Sequence, residues 1–230
     1  LALLHASYMW ASGAATNAAA LSTDVAGTVP MLAIDDMAFF FKVFSTLTVA
    51  LVGLSAVEYM NSRTPFKGEF YVLTLLAGLS LMFLSNATNL IMIYLSLEFL
   101  SITSYILTGY LRQDNRSTEA AVKYFLYGAL ASGVMLYGFS LLYGATGSVD
   151  LATIASALTT SPAANTLLIV TAVVLMMAGF GFKIALVPFH QWSPDAYEGA
   201  PTPVTAFLSG GPKAAGFAVL IRVLVVALPA

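Results

Sequence analysis

Long apolar segments alternate with short polar ones along most of this chain. The first apolar segment that is long enough to cross a bilayer covers residues 37–60, and the polar segment NSRTPFKGE (61–69) follows it. Residues 70–111 then contain a single charged residue, Glu98. A single helix of that length would be about twice as long as a bilayer is thick. We therefore predict two helices there, joined by a turn at SNATN (85–89).

The second half of the chain continues this alternation. A charged segment, RQDNRSTE (112–119), leads into a predicted span at 119–145. Two more spans are predicted at 165–187 and 204–229. The loop before residue 165 is expected to contain a short interfacial helix at 150–160. The pattern thus predicts an all-α, polytopic transmembrane helical bundle.

Two polar residues are predicted to cap helices. Ser117 is the candidate N-cap of the span that begins near residue 119, although Ala120 stands where a capping box would have Glu or Gln. Thr202 is the candidate N-cap of the last span. Pro203 would then occupy the first helical position, where its missing N–H does no harm.

Both ends of the sequence are apolar. Residues 1–12 are typical of the end of a helix that began earlier, and residues 13–36 of a loop. The chain starts with Leu1 and ends in VLVVALPA, so we expect a fragment of a longer membrane protein. A signal peptide is neither shown nor excluded by this pattern.

Composition supports a membrane protein and excludes several classes of function. The chain is 59% hydrophobic and 9% charged, with a mean hydropathy of +0.87, whereas soluble domains carry about 25% charged residues. No basic cluster typical of nucleic-acid binding is present. The absence of cysteine excludes disulfides, iron–sulfur ligation and thiol catalysis within this chain. Its two histidines form no recognisable metal motif.

Basic residues in the predicted loops indicate an orientation. Loops 61–69 and 112–118 fall on one side of the membrane, and the opposite loops carry aspartates and no Lys or Arg. Because basic loops remain cytoplasmic, that side, which also includes loop 188–203, is predicted to be the cytoplasmic one or its organellar equivalent. The basic residues of these loops are Arg63, Lys67, Arg112 and Arg116.

Three charged residues lie well inside predicted spans: Glu98, Lys183 and Lys213. An ionised side chain at that depth costs about 3 kcal/mol. Burial raises the pKa of a carboxyl group and lowers that of an amine, and a neighbouring opposite charge reverses both shifts. Such groups can exchange protons in response to nearby charge, which a proton channel requires. A static ion pair that only fixes helix packing is the alternative.

Two further observations bear on the lysines. Lys213 precedes Arg222 by nine residues, so its helix could simply be amphipathic. Lys123 follows Glu119 by one helical turn, which by itself favours a surface ion pair at the start of a helix.

The stretch AGFGFKIALVPFHQW (178–192) places Lys183 close to a helix breaker, Pro188. Proline cannot donate the hydrogen bond that a helix needs at this position, and irregular backbone at membrane depth is tolerated where it lines protein or water. One interpretation is a broken helix whose freed carbonyls hold water beside Lys183. The other is an ordinary helix that ends at Pro188.

Several polar residues could extend a proton path. Ser101 and Tyr105 share a helical face with Glu98, although such residues also serve as hydrogen-bonding contacts between membrane helices. His190 lies beside Trp192 in a loop, where it could relay protons or be purely structural.

Two long segments resemble a known family. FKIALVPFHQWSPDAYEGAPTPVTAFLSGGPKAAGFAVLIR (182–222) and YLSLEFLSITSYILTGYLRQDNRSTEAAVKYFLYGALASGVMLYGFSLLYGATG (94–147) resemble the antiporter-like membrane subunits of proton-translocating NADH–quinone oxidoreductases, that is, respiratory complex I and its photosynthetic relatives. The wording YEGAPTPVTAFLS is most similar to the subunits called N or 2. The resemblance runs from about residue 35 to the end.

The resemblance implies roles for single residues. Glu98 matches the essential glutamate of the family's fifth helix, and Lys183 matches the lysine of its broken seventh helix, which pairs with that glutamate. Lys213 matches the connecting lysine of the eighth helix and Lys123 a lysine of the sixth. Pro212, directly before Lys213, departs from the pattern and is expected to strain that helix.

The resemblance also implies an assembly. Residues 70–230 would form the first of two inverted five-helix proton-channel repeats, and residues 1–69 would contribute the end of one helix, a loop and one transmembrane helix. This chain would hold no cofactor, and FMN, iron–sulfur clusters and quinone would belong to partner subunits. A bacterial inner membrane or a thylakoid is the expected location. A subunit of a multisubunit sodium/proton antiporter and a structural membrane scaffold are the alternatives.

Overall fold

The computed structural model describes residues 31–160 and 166–228. The predicted helix end at 1–12 and most of the predicted loop at 13–36 lie outside the described residues. The regular secondary structure of the described residues is helical, and two isolated β-bridges join Leu32 to Ala87 and Asn89 to Asp150. The all-α prediction is confirmed.

Eight α-helices follow one another along the described residues. A π-helical segment, Val223–Ala227, continues the last of them. The helices are α1 (Asp36–Arg63), α2 (Lys67–Asn86), α3 (Leu90–Thr108), α4 (Asn115–Thr146), α5 (Leu151–Thr160), α6 (Thr166–Ile184), α7 (Trp192–Gly199) and α8 (Thr202–Arg222).

Six of these helices, α1 to α4, α6 and α8, are long and apolar enough to cross a membrane. The predicted spans are therefore confirmed, with small shifts at their ends. The turn between α2 and α3 is confined to residues 87–89, because α2 continues through Asn86. The predicted short helix at 150–160 is confirmed as α5.

The predicted cap at Ser117 is wrong. Helix α4 begins earlier, and the carboxylate of Asp114 caps it by accepting a hydrogen bond from the backbone N–H of Arg116 at 2.9 Å. Ser117 is buried in the first turns of α4, and its hydroxyl donates to the carbonyl of Thr108 at 2.7 Å. This serine therefore connects α4 to the end of α3 instead of starting a helix.

The predicted cap at Thr202 is displaced by one residue. Thr202 is the first residue of α8, Pro201 occupies the N-cap position, and no side chain caps this end. Pro203 is then the second helical residue. It still lies in the first turn, where backbone N–H groups have no partner within the helix, so its missing N–H disrupts no helical hydrogen bond.

Helix α8 lies at the centre of the bundle. It packs against α1, α2, α3, α6 and α7, and the long helix α4 packs along both α6 and α7. The core is formed by large apolar side chains such as Phe70, Leu97 and Phe207. Helix α4 therefore contacts the helices on both sides of the loop that joins α6 to α7.

The two ends of the bundle differ in charge. The loops between α1 and α2 and between α3 and α4 lie at one end and carry the predicted basic residues; we call this the basic end. The acidic end contains Asp35, Asp36 and Asp150, where both β-bridges also form. This is the distribution of charge that the sequence predicts. The assignment of the basic end to the cytoplasm stays a prediction.

Candidate functional site

Lys183 lies on a broken helix. The first half, α6, ends at Ile184, and the second half, α7, begins at Trp192. Because α6 ends ahead of Pro188, the alternative of an ordinary helix that ends at this proline is wrong. Pro188 follows Val187 through a cis peptide bond and lies in the exposed loop between the two halves.

The end of α6 is closed by a cap of the Schellman type. Leu186 N–H donates to the carbonyl of Gly181 at 2.7 Å, and Ala185 N–H donates to that of Phe182 at 3.1 Å. Ala185 adopts the left-handed conformation, with φ at 57°. The indole of Trp192 also donates to Phe182 O at 2.9 Å. Protein groups therefore satisfy these two carbonyls, and the interpretation that carbonyls freed at the break hold water stays a prediction.

The ammonium of Lys183 is buried, with 1% of the residue exposed. Its Nζ donates to the hydroxyl of Ser101 on α3 at 3.1 Å, and that hydroxyl donates to the carbonyl of Leu97 at 2.7 Å. No carboxylate of the described residues lies within 4.0 Å of Nζ. A buried ammonium with only a neutral partner is costly, and such groups mark functional sites more often than packing.

Glu98 lies one helical turn before Ser101 on α3 and is partly buried. Its carboxylate is close enough to Lys183 for an electrostatic interaction but makes no direct ion pair with it. One carboxylate oxygen, Oε1, is buried and has no hydrogen-bond partner among the described residues. The structure therefore separates the predicted glutamate–lysine pair and places a hydroxyl beside the lysine.

Tyr105 follows Glu98 by two turns on the same helix and reaches α4. Its hydroxyl lies over Gly128, where an added Cβ would be 1.8 Å away, so only glycine allows this approach. The ring meets Tyr124 edge-on, with centroids 4.7 Å apart, and Tyr124 stacks on Trp192 at 4.3 Å. The predicted polar face of α3 thus continues through aromatic rings to the start of α7.

Close packing against α8 holds the lysine from the other side. A Cβ added to Gly216 would lie 2.7 Å from the Ile184 side chain and 3.5 Å from Cγ of Lys183. A larger residue at this position of α8 would therefore push on the last turn of α6, where Lys183 lies.

Lys123 bridges two helices at the basic end. Its Nζ lies 2.7 Å from the carboxylate of Glu119 and 3.1 Å from that of Asp195 on α7, and its side chain is 40% exposed. The predicted contact with Glu119 is confirmed. The contact with Asp195 was missed, because no local pattern relates α4 to a residue beyond the break.

Lys213 also contacts α7. Its Nζ lies 5.1 Å from the centre of the Tyr197 ring, in cation–π geometry. No carboxylate of the described residues lies within 4.0 Å of it. Helix α8 continues without interruption through Pro212, so this proline does not end the helix that carries Lys213. Both outer lysines therefore contact the helix that follows the break.

The two remaining predicted residues lie apart from this cluster. His190 is exposed just before α7, and its side chain makes no hydrogen bond or ion pair with the described residues, although its carbonyl accepts from Ser193 N–H at 2.9 Å. Pro188 is exposed in the same loop. The structure thus places Ser101 in direct contact with Lys183, and Glu98 and Tyr105 lie on the same helix as Ser101.

A second ionic site, at the acidic end, was missed by the sequence analysis. Arg222 is buried and forms two hydrogen bonds with Asp35, Nη1 to Oδ2 at 2.7 Å and Nη2 to Oδ1 at 3.0 Å. Nη2 also donates to the carbonyl of Ser85 at 3.3 Å. Asp35 caps α1 by accepting from Ala38 N–H. Burial by itself would raise the pKa of Asp35, but these bonds and the charge of Arg222 hold it below its ordinary value.

Comparisons with known proteins assign this fold to a family. The model of the family described as "NADH:quinone oxidoreductase/Mrp antiporter, TM" matches residues 87–230. The chain belongs to this family. NADH-quinone oxidoreductase subunit N of Trichlorobacter lovleyi is 45% identical over 208 residues, 90% of this chain and 43% of the relative. NAD(P)H-quinone oxidoreductase subunit 2 of Nostoc punctiforme is 51% identical over 197 residues, 85% and 37% respectively. The chain thus spans less than half the length of these relatives.

Solved structures agree with this assignment. A chain of respiratory complex I from Thermus thermophilus with bound aureothin has a TM-score of 0.74 at 35% identity, covering 96% of this chain and 46% of that one. A chain of the archaeal membrane-bound sulfane sulfur reductase has a TM-score of 0.79 at 24% identity, covering 98% and 46%, and shows the fold alone. The chain is therefore an integral membrane protein of the antiporter-like fold. Its bacterial and cyanobacterial relatives fit a plasma or a thylakoid membrane.

The family relatives are subunits of an enzyme complex, NADH–quinone oxidoreductase. Within the described part of this chain, no group of three or more His, Cys, Asp or Glu residues could hold a metal ion.

Proposed function

We propose that this chain is part of a proton-translocating membrane subunit of an NADH–quinone oxidoreductase, corresponding to subunit N or 2. Family membership and the names of the relatives support the complex. The burial of Lys183 supports the proton path. Helices α2 to α8 would form the five-helix channel repeat predicted for residues 70–230, with α1 outside it.

The observation that carries this proposal is the environment of Lys183. Its ammonium is 1% exposed and hydrogen-bonds a neutral hydroxyl, while the carboxylate of Glu98 acts on it from a distance. A buried amine without a fixed counter-ion can hold or release a proton when a nearby charge changes. A directly paired amine would keep its proton. The separation from Glu98 is therefore the feature that permits transfer.

The path proceeds from Glu98 by way of Ser101 to Lys183, and then along α7 towards Lys213 and Lys123. Three buried oxygens near this route have no hydrogen-bond partner among the described residues: Glu98 Oε1, Tyr124 OH and Tyr197 OH. Buried polar atoms of this kind bind water in proteins, and water chains conduct protons. Lys123, with Asp195 and the exposed His190, forms the mouth of the path at the basic end.

Redox chemistry belongs to other subunits in this proposal. FMN, iron–sulfur clusters and quinone would be bound by partners, and electron transfer there would change the charge that acts on Glu98 and Lys183. This chain would contact the lipid bilayer and the neighbouring membrane subunits, and protons would be its only substrate.

The test is Lys183→Ala in the full-length protein within its assembled complex. Proton pumping and electron transfer are recorded in the same vesicles, with Lys67→Ala, an exposed lysine at the basic end, as the matched control. We expect both activities of the Lys183 variant to fall together by at least about tenfold. When proton translocation and electron transfer are tightly coupled, the loss of a proton-transfer group slows both. An assembled Lys183→Ala complex with both activities intact would refute the proposal.

Two alternatives predict other outcomes. A sodium/proton antiporter subunit, which the family description also includes, would exchange sodium in vesicles without NADH. A scaffold would lose assembly in Lys183→Ala, and any complex that still forms would pump at the normal rate.

A further inference from the structure

An open pocket lies at the basic end, and none of the residues that line it belongs to the candidate proton path. It has a volume of about 690 Å³ and is formed between the loop that joins α1 to α2 and the loop that joins α3 to α4. Three arginines line it: Arg63, Arg112 and Arg116. None of them has a role in the proposed function.

Their guanidinium groups are available to a ligand. Among the described residues, no carboxylate lies within 4.0 Å of Arg63 or Arg112, and Arg116 has only a 3.8 Å contact with Glu198 between two exposed side chains. Arg63 rests on the ring of Tyr59 at 5.1 Å. Guanidinium groups bind phosphate oxygens in pairs of parallel hydrogen bonds. The pocket therefore offers guanidinium groups that can donate hydrogen bonds to a phosphate.

Two carboxylates also line the pocket and reduce its charge. Asp114 is engaged as the N-cap of α4, where it accepts from Arg116 N–H. Glu69 lies in the first turn of α2. With three arginines against these two acids, the lining keeps one net positive charge, so an anion of low charge fits better than a highly charged one.

Apolar groups line the pocket beside three polar residues, Thr64, Gln113 and Asn115. Pro65, Phe66 and Leu111 border the pocket, and Phe66 is 56% exposed. The hydroxyl of Tyr110 donates to the carbonyl of Phe66, which joins the two loops. Cationic and apolar groups thus stand side by side, which suits a molecule that is itself anionic at one end and apolar at the other.

The ends of the candidate spans indicate where the pocket would lie relative to a bilayer: beside the expected level of the lipid head groups. Four candidate spans end or begin beside it: α1 ends at Arg63, α2 begins at Lys67, α3 ends at Thr108 and α4 begins at Asn115. Basic pockets between transmembrane helices on the cytoplasmic side are sites for anionic head groups. The end of the bundle that contains this pocket is the basic one.

We propose that this pocket binds the head group of an anionic phospholipid. Arg63 and Arg112 contact the phosphate, Arg116 contributes positive charge, and Pro65 and Phe66 contact the glycerol and the first carbons of the acyl chains. The apolar lining distinguishes this site from one for free phosphate. The inference does not rest on proton translocation.

The test uses the full-length protein in its complex, reconstituted into phosphatidylcholine vesicles. These contain a small fraction of photoreactive phosphatidylglycerol or, in parallel, photoreactive phosphatidylcholine, at physiological salt. Mass spectrometry of the irradiated complex locates labelled peptides. We expect phosphatidylglycerol to label residues 63–66 and 110–116 several-fold more than phosphatidylcholine. Arg63→Gln/Arg112→Gln should reduce that labelling by about tenfold, as the loss of charge-assisted hydrogen bonds implies.

Matched single variants test whether the lipid is bound by contacts within the pocket or attracted by the general positive charge of the basic end. Arg112→Gln and Lys67→Gln each remove one exposed positive charge at the basic end, but Lys67 does not line the pocket. Lys67 contributes only its charge to this end of the bundle, whereas Arg112 can donate charge-assisted hydrogen bonds to a phosphate in the pocket. Arg112→Gln should therefore lower the labelling far more than Lys67→Gln. Equal losses in the two variants would overturn the proposal.

An excess of inorganic phosphate tests whether the pocket binds free phosphate instead of the phosphate of a lipid head group. Labelling by phosphatidylglycerol should persist, because the apolar lining retains the lipid. Loss of the phosphatidylglycerol labelling when phosphate is added would assign the pocket to free phosphate and overturn the lipid site. Equal labelling by both lipids would show that the pocket does not select an anionic head group, and it would also overturn the proposal.

Discussion

Two buried cations in this bundle have opposite surroundings. Arg222 at the acidic end is held by both oxygens of Asp35 and by a backbone carbonyl. Lys183 in the interior has one neutral hydroxyl, and its nearest acid, Glu98, is not in direct contact. A buried cation with a direct counter-ion is fixed, whereas one without a direct counter-ion responds to changes in the charge around it. The difference separates a structural site from a candidate for proton transfer.

The strongest test of this difference is to give Lys183 a direct counter-ion. Ser101→Asp places a carboxylate beside the ammonium and should hold the proton on Lys183, as Asp35 holds the charge of Arg222. We expect proton pumping in assembled complexes to fall by at least about tenfold. Proton uptake by vesicles, normalised to the amount of complex, measures the effect.

Ser101→Ala is the control for that variant. It removes the hydroxyl without adding charge, so a smaller loss of pumping is expected. If Ser101→Asp pumped as well as the wild type, a fixed counter-ion would not impede transfer and the distinction between the two sites would fail.

Removing the fixed cation should affect stability more than transport. Arg222→Met deletes three hydrogen bonds that join the start of α1 to the ends of α2 and α8. Because Asp35 is partly exposed and can be hydrated, we expect a loss of about 2 kcal/mol of stability rather than the larger cost of a fully buried pair. Thermal dissociation on native gels measures the loss. Pumping per assembled complex should stay normal, and a defect there would show that Arg222 takes part in transfer.

The pH dependence of stability gives a smaller effect at the same site. The pKa of Asp35 is held below its ordinary value of 3.8. A carboxyl group with a lowered pKa stabilises the fold above its unfolded pKa, and this contribution is lost as the pH falls through about 4 and below. Asp35→Asn should therefore be less stable than wild type at pH 6, and this difference in stability should become smaller as the pH falls below about 4. A difference in stability between wild type and Asp35→Asn that grows as the pH falls would contradict the lowered pKa of Asp35.

The smallest effect is expected at the break beside Lys183. Ala185 has φ at 57°, a conformation that costs an alanine about 1 kcal/mol and a glycine almost nothing. Ala185→Gly should raise thermal stability slightly and leave pumping unchanged. Ala178→Gly, inside α6, is the control and should lower stability by about 1 kcal/mol. A destabilising Ala185→Gly would show that the break is not held in this conformation.

Much of the candidate site was accessible from the sequence because its signals are local. Charged residues in long apolar segments identified Glu98, Lys183 and Lys213, and a proline within an apolar run indicated the broken helix. The sequence did not indicate the residue at which the first half of this helix ends. Helix α6 ends before Ala185, which adopts the left-handed conformation. Glycine is the residue that usually occupies this position, so an alanine there gives no sequence signal for the end of a helix.

The sequence by itself determined the membrane spans, the end of the bundle that is basic and the family, because each depends on residue types within one continuous stretch. Only the tertiary structure decided which groups meet. Lys183 contacts Ser101, 82 residues away, and Arg222 contacts Asp35, 187 residues away. Such contacts depend on how helices cross, and crossings depend on close approaches such as Tyr105 over Gly128. Periodicity within a helix shows which face is polar, but packing between helices selects its partner.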